Sequence, residues 1–406
     1  MKNVLLIILF ASIHLQLSAQ GNAFNLGITL GGGELGENQL PGIYNEHYAY
    51  PTEEELAYFQ QKGFKVITIP FRWERVQKTL SSDLDFGEIG EIRKVVAWAA
   101  RRDISVILSM NNAGRYRKNG VDYIVGGYAV SRNDFSNVWN RLANAFSGYP
   151  NIYGFDIMAE PHDMQAFDWF TTAQLAINAI READRRNAII ISGNNYAASE
   201  SWMEYSDQLK NLKDPQDRII FKAHCYFDND FTGKYLFSYD QNQATDSAGI
   251  IRVMPFIQWL KQNNKRGIVG QFGVPDTDQR WLIVMEKFLQ FLKEKNISAQ
   301  YCSSGRRLSS NPVSVYPLAQ AERPQMQVLQ QFLTGVEWKE KTVTASNESD
   351  PKLMIKAAAT VEPELPPVSF LFLPGTILLP QPNGGLYKPT PKGAEKGVRI
   401  AKYNNQ

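Results

Sequence analysis

Residues 267–275 read Gly-Ile-Val-Gly-Gln-Phe-Gly-Val-Pro. A short apolar run ends on one polar side chain, Gln271, and Gly273-Val-Pro275 then turns the chain. Seven other runs have the same character: Phe24–Leu30, Lys65–Pro70, Ser105–Met110, Ile152–Met158, Ala188–Ser192, Ile219–Ala223 and Ser298–Cys302. Longer amphipathic stretches separate them and predict helices over Glu53–Lys62, Phe86–Arg101, Asp134–Ser147, Phe167–Asp184, Ile250–Asn263, Gln279–Glu294 and Pro324–Leu333. Strands alternating with helices argue for an α/β fold with a parallel sheet, and eight of them for a closed (β/α)8 TIM barrel. An open doubly wound sheet is the alternative. No Gly-rich phosphate loop follows the first strand, which favours the barrel.

Barrels of this kind carry their chemistry at the C-terminal ends of the strands. That rule selects Asn111 and Asn112, Ala159 and Glu160, His224 and Tyr226, Gln271 and Cys302 from position alone.

The chain has 406 residues, 44% hydrophobic and 12% aromatic, enough for one large core. Its net charge is +2, and no basic block offers the clustered footprint that nucleic acid requires. Residues 1–20 read as a signal peptide, with Lys2, an apolar run over Val4–Leu17 and Leu-Ser-Ala at 17–19. The expected location is secreted or periplasmic. The apolar run is short for a bilayer span, and no later segment predicts one. Cys225 and Cys302 are too few for a disulfide framework. After the signal only His47, His162 and His224 remain, so no metal signature is visible, and no cofactor is implied.

From residue 338 the composition changes. Val361–Pro391 is rich in proline, which predicts a Pro-rich C-terminal tail over 338–406, extended or partly disordered. Its apolar stretch Val368–Leu379 is a candidate contact for the barrel or for a protein partner. The expected division is a signal over 1–20, the barrel over 21–337 and the tail.

Glycoside hydrolysis normally uses two carboxyl groups flanking the scissile bond; in retaining enzymes they stand about 5–5.5 Å apart. Glu160 suits one of them. It ends an apolar strand and is followed by Pro161, which turns the chain; a surface turn is the plainer reading of Glu-Pro. Aromatic rings that stack on sugar faces complete such sites. Tyr116, Trp169, Tyr196, Trp202 and Tyr226 are candidates, while Trp73, Trp98, Trp139 and Trp281 read as core.

Residues 24–336 resemble glycoside hydrolase family 5, in its cellulase (endo-β-1,4-glucanase) branch. The likeness rests on Leu40-Pro-Gly-Ile-Tyr with Tyr48-Ala-Tyr-Pro51, Ile69-Pro-Phe-Arg-Trp-Glu-Arg75, Asn112 through Gly114-Arg-Tyr116, Glu160-Pro-His-Asp-Met164, His224-Cys-Tyr226, and Gly273-Val-Pro275 with Arg280-Trp281. It implies an open cleft for a β-linked oligo- or polysaccharide. Glu160 falls on the general acid/base, His224 and Tyr226 on the pair lining the cleaved-sugar subsite, and Asn112 on a polar residue beneath it. Asn111, Tyr116, His162 and Trp202 join them as expected substrate contacts.

The departures are as specific as the matches. Gln271 stands where the family has its nucleophilic Glu, Thr68 where it has the Arg that keeps that Glu ionised, Asn111 where it has His, Ala159 where an Asn binds the sugar 2-hydroxyl, and Cys302 where a Trp forms a platform. Losing the carboxylate alone would leave a buried Arg unpaired, a cost of about 3–5 kcal/mol; losing both keeps the pocket near neutral. Without a neighbouring carboxylate, Glu160 is expected to ionise more readily and to donate its proton poorly at neutral pH.

Three functions are compatible with this pattern. The first is a pseudoenzyme that binds a β-glucan without cutting it. The second is a hydrolase with rearranged chemistry. It would use Asp276 or Asp278 in an inverting arrangement needing about 6.5–9.5 Å between carboxyls, or Gln271 to assist an N-acetyl sugar. Helix capping is the plainer role for the two Asp. The third is a scaffold acting through the tail.

Overall fold

The computed structural model describes residues 25–164 and 168–333, together with two paired two-residue strands, Leu379–Pro380 and Leu386–Tyr387. The expected signal and the rest of the Pro-rich segment lie outside the described residues. The chain divides into two units, Met1–Lys339 and Glu340–Gln406.

The first unit is an eight-stranded parallel barrel. Its strands are β1 (Leu26–Leu30), β2 (Val66–Phe71), β3 (Ser105–Met110), β6 (Ile152–Asp156), β7 (Ala188–Ser192), β8 (Ile219–His224), β9 (Gly267–Phe272) and β10 (Ser298–Ser304), closed by pairing of β10 with β1. Each predicted run is a barrel strand, with ends shifted by at most two residues. The strands are buried along nearly their whole length, as expected of a sheet covered on both faces.

Helices α1 (Glu53–Gln61), α3 (Phe86–Ala100), α4 (Arg132–Phe146), α5 (Trp169–Ala183), α7 (Ala248–Gln262), α8 (Arg280–Glu294) and α9 (Pro324–Gln330) match the predicted ones. Side-chain caps set the starts of α1, α3, α4 and α5. Thr52 with Glu55, and Ser131 with Asp134, form reciprocal capping boxes, satisfying otherwise orphaned N–H groups. In α4, Phe135, Val138, Trp139, Leu142, Ala143 and Phe146 are buried. That i, i+3, i+4, i+7 spacing lays one apolar stripe on the barrel.

Several shorter elements were not foreseen. Single turns α2 (Trp73–Val76) and α6 (Trp202–Tyr205) follow β2 and β7. After β3 comes a hairpin, β4 (Arg115–Lys118) and β5 (Val121–Ile124), turning at Asn119 and Gly120 with φ of 53° and 77°. Both central residues have positive φ, the requirement of a tight primed turn. Arg117 and Asp122 clamp the two strands with hydrogen bonds of 2.7 Å.

Inward-facing residues alternate along each strand. Ile107, Ile190, Ile220 and Ile268 form a separate apolar cluster. Two residues further along the same strands stand Ser109, Ser192, Lys222 and Gly270. The barrel interior thus turns polar toward the C-terminal ends.

Candidate active site

The polar layer is built around a charged pair. Lys222 Nζ is hydrogen-bonded to Asp156 Oδ2, which also accepts Ser109 Oγ at 2.5 Å; the two side chains are 7% and 1% exposed. Gly270 leaves room for the lysine stem, since a Cβ there would lie 2.2 Å from Lys222 Cγ and Cδ. A cavity of about 30 Å³, enough for a single water, is lined by this pair with Thr68, Gln300, Asn111, Cys302 and Gln271.

Gln271 owes its position to an irregularity in β9. The register against β8 shifts between Ala223↔Val269 and His224↔Gln271. The extra residue re-aims the side chain that follows, as bulges do. Tyr226 Oη then donates to Gln271 Oε1 at 2.9 Å.

Above this layer lies an open cleft of about 580 Å³ whose lining includes Glu160, His224, Tyr226, Tyr196, Glu200 and Asp230. Glu160 has a left-handed φ of 54°, an uncommon conformation for a non-glycine that a well-packed surround must hold. His224 Nδ1 donates to Glu160 Oε1 at 3.0 Å. His162 Nδ1 donates to the Glu160 carbonyl at 2.9 Å, and its ring stacks on Tyr196 with 4.0 Å between centroids. Tyr196 is the middle of three consecutive left-handed residues, Asn195 to Ala197, and its ring is 50% exposed. The loop after β7 thus presents a flat aromatic face beside Glu160.

Burial pushes the Glu160 carboxyl up, but the hydrogen bond and charge of His224, with the charges of Lys222 and His162, outweigh it and hold the group below its ordinary value. Burial pushes the His224 imidazole down, more than Glu160 raises it. At neutral pH the pair is therefore carboxylate and neutral imidazole. Nδ1 carries the proton, and Nε2 is a lone pair with no partner.

The structure brings together Glu160, His162, His224, Tyr226 and Gln271, with Thr68, Asn111 and Cys302 around the small cavity. It places other expected contacts in the scaffold. Asn112 is buried, donating to both oxygens of Glu74 at 2.9 Å and accepting the Trp73 N–H at 2.8 Å. Tyr116 is buried with its hydroxyl on the carbonyls of Gln77 and Lys78. Trp202 is fully buried against Phe256 and Trp259, and Trp169 donates its indole N–H to Ser192 O at 2.9 Å. These rings offer no open face to a ligand. Ala159 is buried, its backbone joined to Met110 and Ala113. Asp276 pairs with Arg323. Asp278 accepts the Arg280 N–H at 2.9 Å near the start of α8 and pairs with the same guanidinium. Neither Asp lines the cleft or the small cavity.

Four acidic or basic groups of the site were not anticipated: Glu34, Glu200, Asp230 and Lys222. Glu34, on the loop after β1, lines the small cavity with Gln271 and accepts the Gly32 N–H at 2.7 Å. Burial pushes its carboxyl up, beyond what those backbone bonds, Arg72 and Arg75 take back. Lys222 lay in plain view, two positions before His224 on the inward parity of its strand.

The family model for cellulase, glycosyl hydrolase family 5, matches residues 19–306. This chain belongs to glycosyl hydrolase family 5. Among its family 5 relatives, endo-beta-1,4-glucanase B of Emericella nidulans is 31% identical over 259 residues, 64% of this chain and 75% of that protein. The crystal structure of Pseudomonas stutzeri endoglucanase Cel5A in complex with cellobiose superposes with a TM-score of 0.72 at 33% identity, covering 76% of this chain and 92% of that one. XacCel5A in complex with cellopentaose gives 0.71 at 28% identity, covering 76% and 99%. The described family 5 barrel has no helix long and apolar enough to cross a membrane.

Proposed function

We propose that this chain is a glycan-binding member of family 5 that holds a β-1,4-glucan in its cleft without cleaving it by double displacement. The observation that carries the reading is Gln271. Double displacement needs an anion to attack the anomeric carbon, and the side chain hydrogen-bonded to Tyr226 at the end of β9 is a neutral amide. Glu160, held ionised, is a poor proton donor at neutral pH. The binding surface persists in the exposed Tyr196 ring, backed by His162, and in the open cleft beside it. The relatives named above as endoglucanases, and the two structures solved with cellobiose and cellopentaose, support a β-1,4-linked glucan as the ligand. The signal read over 1–20 supports secretion or export to a periplasm, and the Pro-rich segment 338–406 supports a protein partner.

The test is calorimetric titration of cello-oligosaccharides with a parallel reducing-sugar assay on soluble β-glucan. Binding without release of reducing ends is expected. Tyr196→Ala should weaken binding about tenfold, or about 1.4 kcal/mol, with thermal stability unchanged. Hydrolysis at enzyme-like rates would end the reading.

Glu34 favours a second reading, hydrolysis with inversion. It is a carboxyl group in the same cavity as Gln271, and burial raises its proton affinity above the ordinary carboxylate value, the direction that favours a general base. NMR of any product separates the cases, because inversion yields the α-anomer first.

A further inference from the structure

The ligand class can be narrowed from the charge of the cleft. This inference rests on the glycan-binding reading above. Three carboxylates line the cleft, Glu160, Glu200 and Asp230, against one lysine, Lys234. Among the described residues none of the three forms an ion pair with Lys or Arg, and Glu160 is hydrogen-bonded to His224. Lys222, whose charge reaches Glu160, is already engaged by Asp156, and Arg252, whose charge reaches Glu200, donates to the carbonyls of Tyr226 and Asp228. A fourth carboxyl group, Glu34, borders the adjoining cavity.

A second observation points the same way. His224 is 4% exposed and lines the cleft. Its Nδ1 hydrogen is committed to Glu160, so Nε2 can only accept, and it has no partner. The cleft wall thus carries more carboxyl groups than cations, with an acceptor nitrogen left over beside Glu160. A neutral glucan supplies hydroxyl donors only. A β-1,4-linked chain of 2-amino-2-deoxyglucose keeps the same flat, equatorial backbone for the Tyr196 face. It adds an ammonium on every residue, a cation and donor at once. Charge-assisted hydrogen bonds to carboxylates are roughly twice as strong as neutral ones.

We propose that the cleft selects a β-1,4-linked glycan bearing free 2-amino groups, with Glu160, Glu200 and Asp230 as its anionic partners.

The experiment titrates the full-length protein with four hexamers at slightly acid pH: glucosamine, N-acetylglucosamine, glucose (cellohexaose) and lysine. The glucosamine hexamer should bind roughly tenfold tighter than cellohexaose at low ionic strength, a difference worth about 1.4 kcal/mol. That margin should shrink in 0.5 M salt. Glu200→Gln and Asp230→Asn, on the cleft wall, should each reduce the margin, and Glu160→Gln should reduce it most. Equal or weaker binding of the glucosamine hexamer, or preference for the N-acetyl form, overturns the inference while leaving the glucan reading intact. Equal binding of hexalysine also overturns it, because charge alone would then be recognised. If no glycan binds, both readings fall.

Discussion

Tyr226 donates its hydroxyl hydrogen to the side-chain oxygen of Gln271 at 2.9 Å. A tyrosine in that position can equally donate to a carboxylate, so the site around residue 271 is still shaped for an acceptor. What has changed is the charge below it. Thr68 Oγ1 reaches only Gln300, at 3.4 Å, and the buried cation of the layer is Lys222, held by Asp156.

Gln271→Glu with Thr68→Arg is therefore expected to restore almost no hydrolysis. The pair would return a carboxylate and a guanidinium to a cavity that already holds Lys222, Asp156 and Glu34, in which two cations would crowd one another. Asn111, Ala159 and Cys302 would also still stand where the family has His, Asn and Trp. The check is a reducing-sugar assay on soluble β-glucan alongside trapping with an activated fluorosugar. A glycosyl adduct on residue 271 with turnover would show that two side chains suffice.

The Asp156–Lys222 pair should behave as a buried ion pair. Asp156→Asn or Lys222→Met leaves one charge without its partner, and each should cost about 3–5 kcal/mol in denaturant unfolding. The double variant removes both charges and should lose clearly less than the sum of the singles. Additive losses would mean that the two groups do not depend on each other.

Stability should fall on acidification in two windows. His224 has its proton affinity lowered by folding, so the unfolded chain binds more protons as pH drops below the ordinary imidazole value of 6.5. Its contribution is complete above that value and is lost as pH falls through the lower, folded one. Glu160, also lowered, adds a second loss beginning below the ordinary 4.5. Melting temperature followed between pH 8 and pH 3 should therefore decline through both. His224→Gln should flatten the upper window and, by removing the partner that holds Glu160 low, make the lower one shallower too. A wild-type curve flat between pH 7 and pH 5 would contradict the assignment.

Short apolar runs ending in polar residues placed all eight strands, because a strand buried on both faces is a nearly continuous apolar run that composition reveals directly. The rule that barrel chemistry sits at strand ends found Glu160, His224, Tyr226 and Gln271. It could not tell side chains that face the cleft from those that turn back into the scaffold. Asn112 and Glu74 are far apart in sequence, and only the folded loop shows that they satisfy each other. Tyr116 follows an equivalent course, since its hydroxyl is consumed by backbone carbonyls of the loop after α2. The β4–β5 hairpin was legible in Asn119-Gly120, flanked by Tyr-rich alternating residues. Glu34 and Glu200 lie in loops without periodicity, where nothing local fixes a direction.

Gly270 gives a sharp test of how the polar layer is packed. A methyl group at this position would sit 2.2 Å from Lys222 Cγ and Cδ, in the middle of the side chain rather than at its mobile tip. The lysine would have to leave its track, and leaving it means parting from Asp156. Gly270→Ala should therefore cost at least about 2 kcal/mol, combining overpacking with a disturbed buried ion pair. It should also displace Gln271, the next residue on the bulge, and so weaken glycan binding. Gly148, where an added Cβ meets nothing within 4 Å, is the control: Gly148→Ala should change stability by no more than about 0.5 kcal/mol. Urea titration of the two variants side by side decides the matter. If Gly270→Ala is as harmless as Gly148→Ala, Lys222 is not threaded past Gly270 and the charged layer beneath residue 271 is arranged differently.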